Sequence, residues 1–131
     1  MLAEAARHDT RVGVVGGGGT LSSVAGGPSL IEQANIQDPT LPHFAEGLGH
    51  VRVLEVMRGD TSDGDWFYLS PPPAFGSHVP GEITGRYQVG GDVLLTGADG
   101  NSEISGEDYA LAFNDELDTP RHHRIRFTVA H

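Results

Sequence analysis

Apolar residues along the chain fall into short continuous runs and spaced sets, separated by glycine, proline and acidic stretches. Arg11 to Val15, RVGVV, is a run of the kind that a parallel sheet buries on both faces. Asp65 to Ser70, DWFYLS, is a second, stopped by Pro71, Pro72 and Pro73. Arg124 to Val129, RIRFTV, is a third. Between them lie sets with helical spacing. Leu2 to Arg7 reads as the tail of a helix. From His43 to Arg58, Phe44, Leu48, Val51 and Leu54 recur at helical intervals. Gly47 and Gly49 weaken that helix by about 1 kcal/mol each relative to Ala. Ser105 and Asp108 form an S-x-x-D capping pattern that opens a helix through Leu117, with Asp108 serving the helix start. Tyr109, Ala112, Phe113 and Leu117 share a face of it, and Thr119-Pro120 ends it.

The remaining segments are rich in turns. PSLIEQ and a stretch with Pro39 and Pro42 follow the first run, and RYQV and DVLL flank Gly90 and Gly91, which predicts a small hairpin. Strand, helix, strand, helix, strand with apolar strands predicts an α/β layered sheet. A chain of 131 residues with 37% apolar content suits a single domain, residues 1–131.

Composition narrows the chemistry. Eighteen acidic residues against eight arginines give a formal charge of −10, which disfavours nucleic acid and anionic membranes as partners. Without cysteine there is no disulfide, thiolate nucleophile or zinc ribbon. Without lysine there is no Schiff base, phosphate-loop lysine or Tyr/Lys catalytic pair. No apolar run approaches the roughly 20 residues of a membrane span. The start, MLAEAARHD, carries no basic leader, so a soluble cytoplasmic protein is expected.

The tetraglycine in Gly13 to Ser23, GVVGGGGTLSS, invites comparison with a dinucleotide-binding loop. It does not fit. Gly16 and Gly18 occupy the first and third places of G-x-G-x-x-G, but the sixth is Leu21, and SSVAGGPSL has no helical period. The acidic residue expected about 20 residues on is also missing. Two readings stand: glycines at a strand's carboxyl end that let a ligand approach the backbone, or a tight, flexible crossover.

Four segments in order resemble atypical short-chain dehydrogenase/reductase proteins, the NAD(P)H-binding, NmrA-like group that includes epimerases and reductases. RVGVVGGGGTL is similar to that family's RxxxVGGAGSL, and WFYLSPPPAF to its WTxLSPAxxF. GEITGRYQVGGDVLL is similar to GxRTGxYRxGGDxLL, and EISGEDYALAFNDELDTPRHHRIRFTV to xISxEDYAxAxxDELExPxHxxxRFTV. The resemblance implies a partial Rossmann-like, doubly wound sheet, its C-terminal half, with the tetraglycine after the fifth strand. It implies a chain that keeps the nicotinamide and substrate side of the cleft and lacks the half that grips adenine and pyrophosphate. NADP or NAD would be the cofactor, with little affinity for this chain alone, and a small molecule the substrate. Gly16, Gly17, Gly18, Gly19, Ser70 and Pro71 would border the nicotinamide. Thr20, where the family has Ser, would offer a catalytic hydroxyl to a carbonyl substrate. Phe75 and Tyr87 would form the substrate wall, and Gly18 replaces the family's Ala. The family's usual Tyr/Lys pair has no lysine here to complete it.

A second expectation belongs to another class: a non-enzymatic module that forms homo-oligomers through an exposed sheet edge at residues 11–15. Other groups read as structural. His122 and His123, with His78 and His131, make poor metal partners, because adjacent histidines on an extended stretch face opposite ways, and a solvated turn is expected there. Glu107, Asp115, Glu116 and Asp118 read as a solvated face, and neither DGDW nor ADGNSEIS matches a calcium loop. Tyr109 and Phe113 read as core.

Overall fold

A computed structural model describes residues 1–37, 40, 44–76 and 81–131. Pro39, Pro42, His43 and His78 lie outside the described residues. A short helix α1, Leu2–Arg7, leads into β1, Val12–Val15. After one 3-10 turn at Gly18–Thr20 come α2, Leu30–Gln37, and α3, Phe44–Gly59. The second apolar run is β2, Trp66–Ser70, followed by β3, Gln88–Gly90. The capped helix is α4, Gly106–Asp118, and the last run is β4, Ile125–Ala130.

Helix α2 is an addition to the sequence reading, and its signal was there. Ser29 and Glu32 form a capping box: Glu32 N–H donates to Ser29 Oγ at 3.3 Å, and Glu32 Oε2 accepts from Ser29 N–H at 2.9 Å. Ser105 caps α4 as expected, accepting from the Asp108 N–H at 3.1 Å.

The sheet has the order β1-β2-β4-β3. β1, β2 and β4 are parallel, and β3 lies antiparallel to β4. The hairpin predicted around Gly90 and Gly91 does not form. β3 spends its ladder on β4, with Gln88 opposite Ala130. The DVLL segment docks elsewhere: Ser22 N–H donates to Asp92 C=O and Leu94 N–H to Ser22 C=O, each at 2.9 Å. RVGVV is not buried on both faces either. Among the described residues β1 pairs with β2 alone, and Val15 at its end is 56% exposed.

Core residues lie on both sides of the sheet. Phe67 and Leu69 of β2 and Phe127 and Val129 of β4 pack on Tyr109 and Ala112 of α4. On the opposite face Trp66 and Tyr68 pack on Leu54 and Met57 of α3 and Leu2 of α1. Tyr109 and Phe113 are core, as read, but Leu117 is exposed and Glu116 takes the inner position.

That exchange has an electrostatic cause. Arg11, leading into β1, reaches Glu116 Oε1 at 2.8 Å and Asp65 Oδ2 at 2.8 Å. His122 Nδ1 meets Glu116 Oε2 at 2.8 Å, while the N–H groups of Arg121 and His122 donate to Oε1. Glu116 is therefore no part of a solvated face. The turn after Pro120 is not simply solvated: His122 stacks on Phe127 with centroids 3.8 Å apart, and His123 meets Asp65 at 2.8 Å. Asp115 accepts from the Tyr87 hydroxyl. The Asp108 side chain does not close the capping box; it accepts from Thr84 and Gly85 N–H groups and from His131 Nε2. Burial pushes the Asp108 carboxyl up, yet these bonds outweigh it and hold the group well below the usual carboxylate range.

Burial also pushes the Glu116 carboxyl up, and the bonds from His122, Arg11 and two backbone N–H groups again outweigh it, so the group falls from 4.5 to about 2. A carboxyl lowered on folding contributes its full stabilisation above its unfolded value and loses it as pH falls toward the folded one. Urea unfolding between pH 4.5 and 2 is expected to show this loss. Glu116→Gln is expected to cost roughly 1.5–3 kcal/mol at pH 7, the worth of hydrogen bonds to a charged group, and to flatten that acid limb. An unchanged acid slope in the variant would remove Glu116 as the responsible group.

Candidate functional site

Because β1 and β2 run parallel, the segments leaving their carboxyl ends emerge side by side, where open α/β sheets hold ligands. Gly16 to Gly19 leave β1 and Pro71 to Gly76 leave β2. Between them opens a cleft of about 570 Å³, closed on its other side by Ile31 of α2 and by Glu46, Gly47 and His50 of α3.

The loop's own packing explains its four glycines. A Cβ on Gly16 would lie 2.1 Å from Tyr68 Cε1, and one on Gly17 2.8 Å from the His50 ring. On Gly18 it would meet the Pro71 and Pro72 carbonyl oxygens at 2.9 Å, and on Gly19 the Cβ of Ile31 at 3.3 Å. The run of glycines thus lets the chain lie flat on β2, α3 and α2 at once. Tyr68 anchors the arrangement. Its hydroxyl accepts from Gly17 N–H at 3.2 Å and donates to the His50 carbonyl at 3.1 Å. Burial pushes the Tyr68 phenol up, which keeps it neutral and available for both bonds.

Beneath the loop lies a buried polar network. Thr20 Oγ1 donates to the Gly17 carbonyl at 2.7 Å, so Ser70 supplies the proton in the 2.9 Å contact between the two hydroxyls. Arg126 Nη1 donates to both, at 2.9 and 3.1 Å. The guanidinium is 3% exposed, and its charge is met by Asp92, which also accepts from Arg58. Burial draws the Arg126 pKa down against the pull of Asp92.

The candidate residues read from the sequence separate into groups. Gly16, Gly17, Gly18, Gly19, Pro71 and Phe75 line one cleft. Ser70 is fully buried below it. Thr20 is 5% exposed and borders a different cleft, of about 240 Å³, with Arg58, Asp92 and Arg126. Tyr87 lies against α4 and His122, with its hydroxyl on Asp115. Burial and then Asp115 push that phenol up to about 12. Three participants escaped the sequence reading. His50 and Glu46 sit on a helix whose apolar positions alone were weighed. Arg126 had a visible signal, a charge in the middle of an apolar strand. Among the described residues no three His, Asp or Glu side chains converge on a metal position, and no helix is long and apolar enough to cross a membrane.

Comparison with known proteins bears on the fold. No family profile matches the chain. It is 37% identical over 125 residues to the uncharacterized protein YwnB of Bacillus subtilis (strain 168), covering 95% of this chain and 55% of that protein. Among solved structures it is similar to a proposed NADH-flavin reductase of Streptococcus pneumoniae TIGR4, with a TM-score of 0.78 and 29% identity. The match covers 92% of this chain and 55% of that one. The chain has the fold of the reductase- and epimerase-like Rossmann proteins. A proposed epimerase of Bacteroides thetaiotaomicron matches with a TM-score of 0.70 and 35% identity, over 92% of this chain and 53% of that one. The chain thus spans about half the length of the proteins it matches.

The loop geometry separates two kinds of glycine. Gly16→Ala drives a methyl into the Tyr68 ring and is expected to lower stability by about 1–3 kcal/mol, as overpacking does. Gly49→Ala, on the open face of α3, meets nothing within 4 Å and is expected to raise it by roughly 0.5–1 kcal/mol. Denaturant unfolding of both reads the contrast. A neutral Gly16→Ala would show that the loop does not pack on Tyr68.

Proposed function

We propose that this chain forms the nicotinamide and substrate side of the cleft in an NAD(P)-dependent oxidoreductase or epimerase-like protein. The observation that carries the reading is the composition of the cleft at the carboxyl ends of β1 and β2. Its walls are backbone, the side chains of Val15, Ile31, Pro71, Pro72, Pro73 and Phe75, and Glu46 and His50 on α3, and no arginine lines it among the described residues. The apolar side chains suit a flat, uncharged ring, whereas a diphosphate calls for an α-helix N-terminus or several cationic side chains, and here the single imidazole stands beside a carboxylate. A bound nicotinamide would supply hydride chemistry there. Gly16 to Gly19 and Pro71 would hold the ring, and Phe75 would border the substrate. Ser70 and Thr20 act from beneath, with Arg126, by holding the Gly17 carbonyl in place. The S. pneumoniae neighbour's name points to a nicotinamide nucleotide for the same fold.

A ligand held by its ring alone binds weakly. Calorimetric titration of the chain with NADPH and with NADH is expected to give dissociation constants of about 1 mM or weaker, some 4 kcal/mol of affinity. Micromolar binding of either would overturn the division of labour proposed here.

A second reading, self-association, is favoured by one observation: β1 pairs with a single neighbour among the described residues, and Val15 is 56% exposed at its end. VGVV carries no charge or proline to protect the edge. Light scattering is expected to show a dimer that Val15→Pro dissolves, since Val12 and Gly16 turn their N–H groups to β2 and Val15, out of phase with them, turns its own to the open edge, where proline removes it. A monomer at millimolar concentration would rule this out.

A further inference from the structure

Apart from backbone, the glycine cleft is lined mostly by apolar side chains, and the exception is on α3. Among the described residues that line it, Glu46 and His50 alone are titratable. They stand one helical turn apart, with His50 Nε2 3.9 Å from Glu46 Oε1. The imidazole is a third exposed, with 34% of its side chain accessible. Its seat is built from two sides. A Cβ on Gly17 would fall 2.8 Å from both His50 Cγ and Cδ2, so the glycine leaves room for the ring against the loop. The His50 carbonyl is tied to the Tyr68 hydroxyl, which also holds Gly17, so ring and loop are positioned by one buried phenol.

We propose that His50 is the proton donor to the carbonyl oxygen of a flat, uncharged substrate lying in this cleft. The proposal rests on the reading of the cleft as a site of carbonyl reduction. Reduction of a carbonyl to a hydroxyl consumes a hydride at carbon, supplied by a reduced nicotinamide that is oxidised to the pyridinium, and a proton at oxygen. That proton leaves His50 Nε2, and the imidazole regains one from water at its exposed edge. Imidazole both gives and takes a proton near neutral pH, which suits it to the role. The other nearby hydroxyls are committed: Tyr68 donates to the His50 carbonyl and Thr20 to the Gly17 carbonyl. With no lysine in the chain, no Tyr/Lys pair competes for the task. The charge of Glu46 and the lack of arginine disfavour carboxylate and phosphate substrates and leave neutral carbonyl compounds as the class that fits.

Carbon-13 NMR of 2-acetylnaphthalene labelled at its carbonyl tests the donation without any cofactor. Binding to the wild-type chain is expected to move the carbonyl signal downfield, as a hydrogen bond to that oxygen does, and to shift the Gly16 to Gly19 amide signals. His50→Phe, which keeps a flat ring in the seat, is expected to retain the amide shifts and lose the carbonyl shift. His50→Gln, which keeps an N–H donor, is expected to restore part of it. An equal carbonyl shift in wild type and His50→Phe, or amide shifts without a carbonyl shift in wild type, would overturn the role of His50 while the cleft reading stands. No shift of either kind would overturn the cleft reading and this inference together.

Discussion

The structure depends on the complete burial of β2. All five residues from Trp66 to Ser70 are inaccessible, and the strand is paired on both sides, to β1 and to β4. A parallel strand in that position has no solvent face, so each large side chain it carries adds roughly 1.5–3 kcal/mol of burial to the core. Trp66 and Tyr68 feed the α3 side, and Phe67 and Leu69 the α4 side. Slipping the strand by one residue would exchange the two sets, which pins its register. With β2 fixed, β1 and β4 end at the same edge of the sheet, and the glycine loop has one place to go.

Tyr68 converts that burial into local order. Its ring fills the space a Gly16 side chain would need, and its hydroxyl joins Gly17 to the last turns of α3's first half through His50. A loop with four glycines loses more conformational freedom on ordering than any other sequence of that length, so it needs strong partners. Here they are a neutral phenol above β2 and the Thr20–Ser70–Arg126 network beside it. A guanidinium at 3% exposure is tolerable because Asp92 and two hydroxyls take up its donors. The polar interior therefore serves the loop, and the loop shapes the cleft.

A second, half-buried network does comparable work at the opposite end of the strands. Arg11, Asp65, Glu116, His122 and His123 join the entry to β1, the entry to β2 and the end of α4. Its members are scattered over more than a hundred positions of sequence, and each taken singly reads as a surface charge. This is why Leu117 looked like the core position and Glu116 like a solvated one. Helical periodicity marks which residues share a face, and only a partner from another segment decides that a carboxylate is worth burying on it.

The three parallel strands, the helices from residue 44 and residue 106, the Ser105 cap and the core places of Tyr109 and Phe113 were legible from periodicity, turn chemistry and capping, because those signals arise between neighbours in sequence. So was the lack of a helical period after the tetraglycine, where one 3-10 turn is followed by no α-helix before Leu30. Tertiary structure alone decided what the glycines avoid, that β3 pairs with β4 in place of a hairpin, and that Thr20, Tyr87 and Phe75 stand in three different surroundings. It alone brought His50 against Gly17, across more than thirty residues and two helices. Contacts of that range depend on how the packed layers meet, and no spacing along the chain encodes it.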